Sequence, residues 1–393
     1  MIRVSGVGCC LVDRVYNHIS FDSELFSVCQ SKKRGDGGLI PGRLVFKEEF
    51  ESYMGKGLEE VLEELTNRRP ADKINIGGPG IVAMIHAAQM AYEGSFAFHF
   101  YGRGGSDKDG SYLMEAIKKT PVLTNNYHLG EEVTPSTIVL SDPAYDNGAG
   151  ERIFINTIGA AWNLQAESLD DRFFASDVVV FGGTALVPSI HDHLTAILIK
   201  AKSKGCITIV NTVYDFRNEK ANPDQAWPLG ESIESYAHID LLIADFEEAL
   251  RLSGKTAISH ALEFFKSNGT GAVIVTNGSR NIHLYAKENS IFSKIRDLEL
   301  PVSKAVYDEL KNFHLGDTTG CGDNFAGGVI YSMISQLSQE EKQLDLKKAC
   351  MWGVVSGGYS CFYMGGTYFE RKSGEKYQLI HPYYEKYKEQ INE

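Results

Sequence analysis

Cysteine is sparse in this 393-residue chain: seven residues, at 9, 10, 29, 206, 321, 350 and 361, with no Cys-x-x-Cys pair and no histidine beside them at zinc-like spacing. Neither a disulfide framework nor a metal cluster is indicated, and most of these thiols are expected to be small buried hydrophobes. Positive charge is also in deficit, 39 Lys plus Arg against 51 Asp plus Glu for a formal net charge of −12. A partner held through its phosphate backbone needs a basic face, so nucleic acid is not expected. A small phosphorylated ligand stays admissible, because helix N-termini and backbone amides bind phosphate without a net basic surface. No run of about 18 apolar residues occurs, so no membrane-spanning segment is expected. The N-terminus has one Arg and a short apolar run ended by Asp13, without a cleavage-type sequence, and the chain reads as cytoplasmic. With 43% apolar and 23% charged residues, what remains is a soluble globular protein able to bury a large core.

Residues 4–12 read as one buried strand that delivers Asp13 to a sheet edge. Residues 14–72 differ in texture, with a polar Lys/Gly stretch, a short strand-like piece broken by Pro41-Gly42, and a charged helix near 58–67. From Gly77-Gly78-Pro79-Gly80 onward, short apolar runs near 96–101, 178–181, 207–210, 241–244 and 272–275 alternate with helical segments. That alternation predicts a three-layer α/β/α fold with a mostly parallel sheet. Residues 134–156 read instead as a β-hairpin around Asp146-Asn-Gly. The excursion and the hairpin are expected to form a small β-sheet lid inserted in a single 1–393 domain, with a face open to a second copy of the chain.

The strongest local signal is Asp317-Thr-Thr-Gly-Cys-Gly-Asp323, followed by apolar residues at helical spacing. Gly320 and Gly322 let successive amides point at one spot at a helix N-terminus, and Asp323 sits in the first turn beside it. An anion cradle with an adjacent carboxylate suits phosphoryl transfer, the amides taking charge and the carboxylate taking the proton of an attacking hydroxyl. A plain tight turn, with Asp323 only complementing the helix dipole, accounts for the same residues equally well.

The run resembles the D-T-x-G-A-G-D signature of the ribokinase-like (PfkB) carbohydrate kinases. Asp13, Gly77-Gly78, Gly102-Arg-Gly-Gly-Ser-Asp107, Asp215 with Arg217 and Trp227, Asp245-Phe-Glu-Glu248 and Thr276-Asn-Gly278 follow in that family's order. The resemblance implies Asp323 as catalytic base, the Gly320, Cys321 and Gly322 amides as anion hole, and Asp13, Gly77 and Gly78 as acceptor contacts. It further implies Mg²⁺ organised by Asp245 and Glu248, ATP flanked by Thr276 and Gly278, and potassium near Asp317 and the Gly365-Gly366 turn. Two positions depart from the pattern: Val82 and Ala161 stand where amides that bond the sugar are common. The expected activity is ATP-dependent phosphorylation of a hydroxyl on a small sugar or sugar-like acceptor. The alternatives are a nucleoside kinase, suggested by the long stretch between Asp13 and Gly77, and a non-catalytic sugar or nucleotide sensor. Gly254-Lys255-Thr256 lacks the first glycine of a P-loop, and Gly6-x-Gly8 lacks the third glycine of a dinucleotide fingerprint. His191 and His193 are expected to be solvated at a helix start.

Overall fold

The computed structural model describes the chain except Arg34, Ala149, residues 313–317 and Glu393. Its described strands are β1 (Ile2–Gly8), β2 (Leu11–Tyr16), β3 (Leu44–Phe46), β4 (Lys73–Gly77), β5 (Phe96–Gly105), β6 (Val122–Gly130), β7 (Ser136–Asp142), β8 (Glu151–Thr157), β9 (Val178–Gly182), β10 (Ile207–Asn211), β11 (Leu241–Asp245), β12 (Ala272–Thr276), β13 (Ile282–Ala286) and β14 (Ile295–Leu300). They form a nine-stranded sheet, in the order β14-β13-β12-β11-β10-β9-β1-β5-β6, and a five-stranded sheet, β3-β8-β7-β2-β4. In the large sheet the run from β6 to β12 is parallel, and β13 and β14 close it antiparallel. The predicted α/β architecture is therefore present, and its central strands bury both faces. Along β9, Val178 and Val180 enter one core while Val179 and Phe181 enter the other, as the two-residue period of a strand requires. Helices Pro79–Met90, Cys321–Ser338, Leu346–Ser360 and Glu375–Gln390 pack on the first face, and Leu194–Ser203, Phe246–Ser253 and Ile258–Ser267 on the second.

The N-terminal strand corrects the sequence reading. Residues 4–12 are not one strand: the chain leaves the large sheet after Gly8 and enters the small one at Leu11, so Asp13 lies inside β2. Both strands are buried, so a continuous apolar run carries no mark of the change of sheet.

The small sheet starts at Leu11 and includes β4, wider than the expected 14–72 boundary. β3 from the excursion pairs with β8 of the hairpin, and β7 and β8 pair antiparallel from Ser136↔Thr157 to Asp142↔Glu151. The hairpin is closed by a short helix, Tyr145–Gly148, rather than by a two-residue turn. One face of this sheet, through Ile138, Leu140, Ile153 and Ile155, packs on Phe26, Phe50, Leu58 and Val61. The face expected to be open to a second copy is thus covered by the chain's own helices. No described helix is long and apolar enough to cross a membrane.

Five cysteines are buried and two, Cys321 and Cys361, are partly exposed, all as free thiols. His191 is buried, contrary to the expectation of solvation, because Thr184 Oγ1 (3.0 Å), the Pro228 carbonyl (3.2 Å) and Asp215 (3.5 Å) surround its ring. Gly254 ends the helix Phe246–Ser253 in left-handed conformation, so Gly254-Lys255-Thr256 is a helix terminus.

Candidate active site

Parallel strands place their carboxyl ends along one edge, the usual ligand crevice of α/β sheets. Here Gly8 pairs with Gly182, Gly182 with Asn211, and Asp245 with Thr276. Helix Cys321–Ser338 opens with Gly320 as N-cap at φ 75, and a Cβ there would stand 2.5 Å from Gly366 Cα. Only glycine tolerates both the left-handed turn and that approach. The first amides of the helix have no intrahelical acceptor, the Cys321 amide making a long 3.3 Å bond back to the Thr318 carbonyl, and around Gly322 the space a Cβ would occupy is open. Cys321 Sγ lies 3.3 Å from Cys361 Sγ and accepts from Ser360 Oγ at 3.2 Å; the Cys361 contact and burial hold its thiol well above the ordinary range.

Asp323 occupies the first turn and is partly exposed, and no described group bonds its carboxylate. Desolvation pushes that carboxyl up to about 7. Desolvation is the main cause that raises the Cys9 thiol and the Glu248 carboxyl, and the Asp323 charge adds a smaller push to both, as Asp13 does to Cys9. Asp323 is thus within electrostatic reach of Glu248, and both Asp13 and Asp323 are within reach of Cys9. Asp13 is buried and lies over Gly77, where a Cβ would stand 1.9 Å from its Oδ2. The glycine is what lets the carboxylate settle there. Gly78 follows as the N-cap of helix Pro79–Met90.

Residues unmarked by any motif complete the floor. Cross-strand pairing aligns Asn75 (β4), Asp13 (β2), Thr137 (β7) and Asn156 (β8) in one row, each at most 5% exposed. Directly paired residues share a sheet face, so this polar row lies opposite the face covered by helices. Thr137 Oγ1 donates to Asn156 Oδ1 at 2.5 Å. Arg152, four residues before Asn156 and hence on the same face, donates to Thr319 Oγ1 at 2.9 Å beside the glycine turn. The small sheet thus reaches the anion cradle. A signal existed in the sequence: Arg152, Phe154 and Asn156 alternate with Ile153 and Ile155. Val82 and Ala161 are both buried, Val82 against Gly366 and Ala161 in the second core.

Asp245 and Glu248 form a capping box, Asp245 Oδ1 accepting from the Glu248 amide at 2.7 Å and Glu248 Oε2 from the Asp245 amide at 3.0 Å. Thr212 Oγ1 also donates to Glu248, at 2.6 Å. Desolvation, then repulsion from Asp245, raises Glu248 to about 8, and desolvation raises Asp245 too. Among the described residues no three His, Cys, Asp or Glu side chains stand at metal-holding distances. Two raised carboxyls beside a third acid suit a hydrated cation shared with phosphates rather than an all-protein cage. Thr276 is partly exposed beside Asp245, and Gly278 borders open space.

Asp215, Arg217 and Trp227 take other roles. Asp215 caps the helix Phe216–Ala221, Arg217 pairs with Asp192, and Trp227 Nε1 donates to Glu219 at 3.1 Å, bracing the loop above Thr212. Asp317 lies outside the described residues.

Solved structures share this fold at low identity. An adenosine kinase from Sinorhizobium meliloti is 16% identical with a TM-score of 0.68, covering 97% of this chain and 98% of its own. A ribokinase from Thermotoga maritima is 18% identical with a TM-score of 0.60, covering 98% and 100%. A ribokinase II-like protein from E. coli, solved with ATP and Mg²⁺, is 15% identical with a TM-score of 0.63, covering 98% and 99%. Residues 56–372 match the family described as pfkB family carbohydrate kinase. With that match spanning most of the sequence, and with a large mostly parallel sheet joined to a smaller one, the chain belongs to the pfkB family of carbohydrate kinases.

Proposed function

We propose that this chain transfers a phosphoryl group from ATP to a primary hydroxyl of a small sugar or sugar-like acceptor, with Asp323 as general base. The Asp323 carboxylate carries this assignment: it is unbonded by described groups, raised to about 7, and placed one residue past the glycine turn. A base with a pKa near the working pH combines an available proton site with enough basicity to use it. Asp13 and the row through Thr137 and Asn156 orient the acceptor so that its hydroxyl meets Asp323. The Gly320, Cys321 and Gly322 amides receive the negative charge that develops on the transferring group, and Arg152 adds a cation from the small sheet. Thr276 and Gly278 flank the nucleotide. Bound Mg²⁺ supplies neutralisation of phosphate charge, and Asp245 and Glu248 hold it through its waters. The small sheet serves as a lid that excludes water from the transfer.

The acceptor is assigned as a sugar rather than a nucleoside because Asp13, Thr137 and Asn156 line the cleft in one polar row, whose oxygens and amides are suited to exchanging hydrogen bonds with the hydroxyls of a small sugar. The fold likeness to adenosine kinases favours adenosine as the second reading.

Glu248→Gln should raise the Mg²⁺ concentration for half-maximal activity by about tenfold, with acceptor KM changed less than about threefold, the usual loss when a residue acts through metal-bound water. Titrating Mg²⁺ at fixed ATP checks it; an unchanged Mg²⁺ requirement removes Glu248 from the metal site.

A further inference from the structure

Lys376 is 1% exposed, and among the described residues no carboxylate lies within ion-pair distance of its ammonium. A buried, unpaired ammonium is costly unless something else uses the charge. Its Nζ donates to Asn324 Oδ1 at 3.0 Å, where His86 Nδ1 at 2.7 Å and the Tyr363 hydroxyl at 3.1 Å converge as well. With donors on that oxygen, the amide orientation is fixed, and Nδ2 donates to the Gly320 and Gly366 carbonyls, both at 2.8 Å. Asn324 follows Asp323 in the chain. One side chain therefore ties the glycine turn, the 364–367 loop and three helices to a single buried cation. Burial lowers the Lys376 ammonium to about 7 against the pull of Glu370, and a bound anion would favour its charged form.

We propose that Lys376 is a positioning residue that acts through Asn324: its side chain fixes the carbonyls of the anion-cradle turn and, once an anion is bound, places a positive charge behind that turn, in place of a diffusible monovalent cation. The proposal rests on the kinase assignment above. The donor set agrees with it. The Gly320, Met364, Gly366 and Thr367 carbonyls accept from the Asn75 and Asn324 amides, so on the Gly365-Gly366 side of the expected potassium site the described carbonyls are already engaged, while Asp317, its other side, lies outside the described residues.

The test compares the parent, Lys376→Met and Lys376→Ala in sodium, potassium and methylammonium chloride at equal ionic strength, with thermal unfolding of each. The parent should turn over at rates within about twofold in sodium and potassium, while Lys376→Met loses about tenfold or more in kcat with acceptor KM within about threefold, as expected for preorganised charge felt in the transition state. Methylammonium should restore several-fold activity to Lys376→Ala with its unfolding temperature unchanged, whereas a purely structural lysine would show rescue of activity only together with a rise in that temperature. A parent activated about fivefold or more by potassium, or a folded Lys376→Met with parental kcat, overturns the proposal. If Lys376→Met does not fold, the parent's cation response and the methylammonium rescue decide. A parent with no acceptor-dependent turnover fails the kinase assignment instead, a distinct result.

Discussion

Replacing Asp323 with Asn should lower kcat by on the order of 10²–10⁴ while leaving ATP binding near that of the parent, the ordinary worth of a positioned general base. The amide keeps the shape and removes the proton acceptor. The parent's kcat/KM should fall as pH drops through about 7, because the base must be ionised. The stability sign runs the other way. Asp323 has a folded pKa above its unfolded value, so the fold binds more protons there, and its contribution is present at low pH and lost as pH rises toward 7. Above that pH, Asp323→Asn should unfold at a temperature equal to or higher than the parent's, which separates lost chemistry from lost structure. A variant that turns over near the parental rate, or loses activity only by unfolding, removes Asp323 from the proton transfer.

Asp13→Ala should reduce kcat/KM for the acceptor by about 10²–10⁴, since two hydroxyl bonds to a carboxylate are worth roughly 1.5–3 kcal/mol each and 1.4 kcal/mol is a factor of ten. The loss should fall on the acceptor and not on ATP, because Asp13 sits over Gly77 in the small sheet while Thr276 and Gly278 lie across the large one. Steady-state kinetics with each substrate varied in turn reads the split. Equal losses in both KM values would place Asp13 in the fold rather than in recognition.

The half of the site proposed to be catalytic was legible because its residues are contiguous. A glycine turn, an acid in the first helical turn and a following apolar helix are contiguous, and residues 317–323 display them in order. The βα alternation was legible for the same reason, each strand and helix being a short run with its own period. What sequence did not reveal depends on register. Thr137 and Asn156 meet Asp13 only through β7 and β8 pairing, and a strand's partner is set by tertiary packing. Lys376 and His86 meet Asn324 from helices almost three hundred residues apart, where His86 within an apolar helix resembles a core residue. Asp245 and Glu248 were matched to a metal pattern, and their capping box shows that the same spacing also starts a helix.

The most direct measurement is ADP release by the parent protein at one fixed ATP and Mg²⁺ concentration, with ribose, fructose, deoxy sugars, acid sugars and adenosine compared by kcat/KM. Acceptor-dependent ADP formation is expected, with a sugar preferred over adenosine. A clear preference for adenosine would contradict the acceptor assignment, and ADP formation that no acceptor stimulates, beside measurable sugar or nucleotide binding, would contradict the kinase assignment in favour of a sensor.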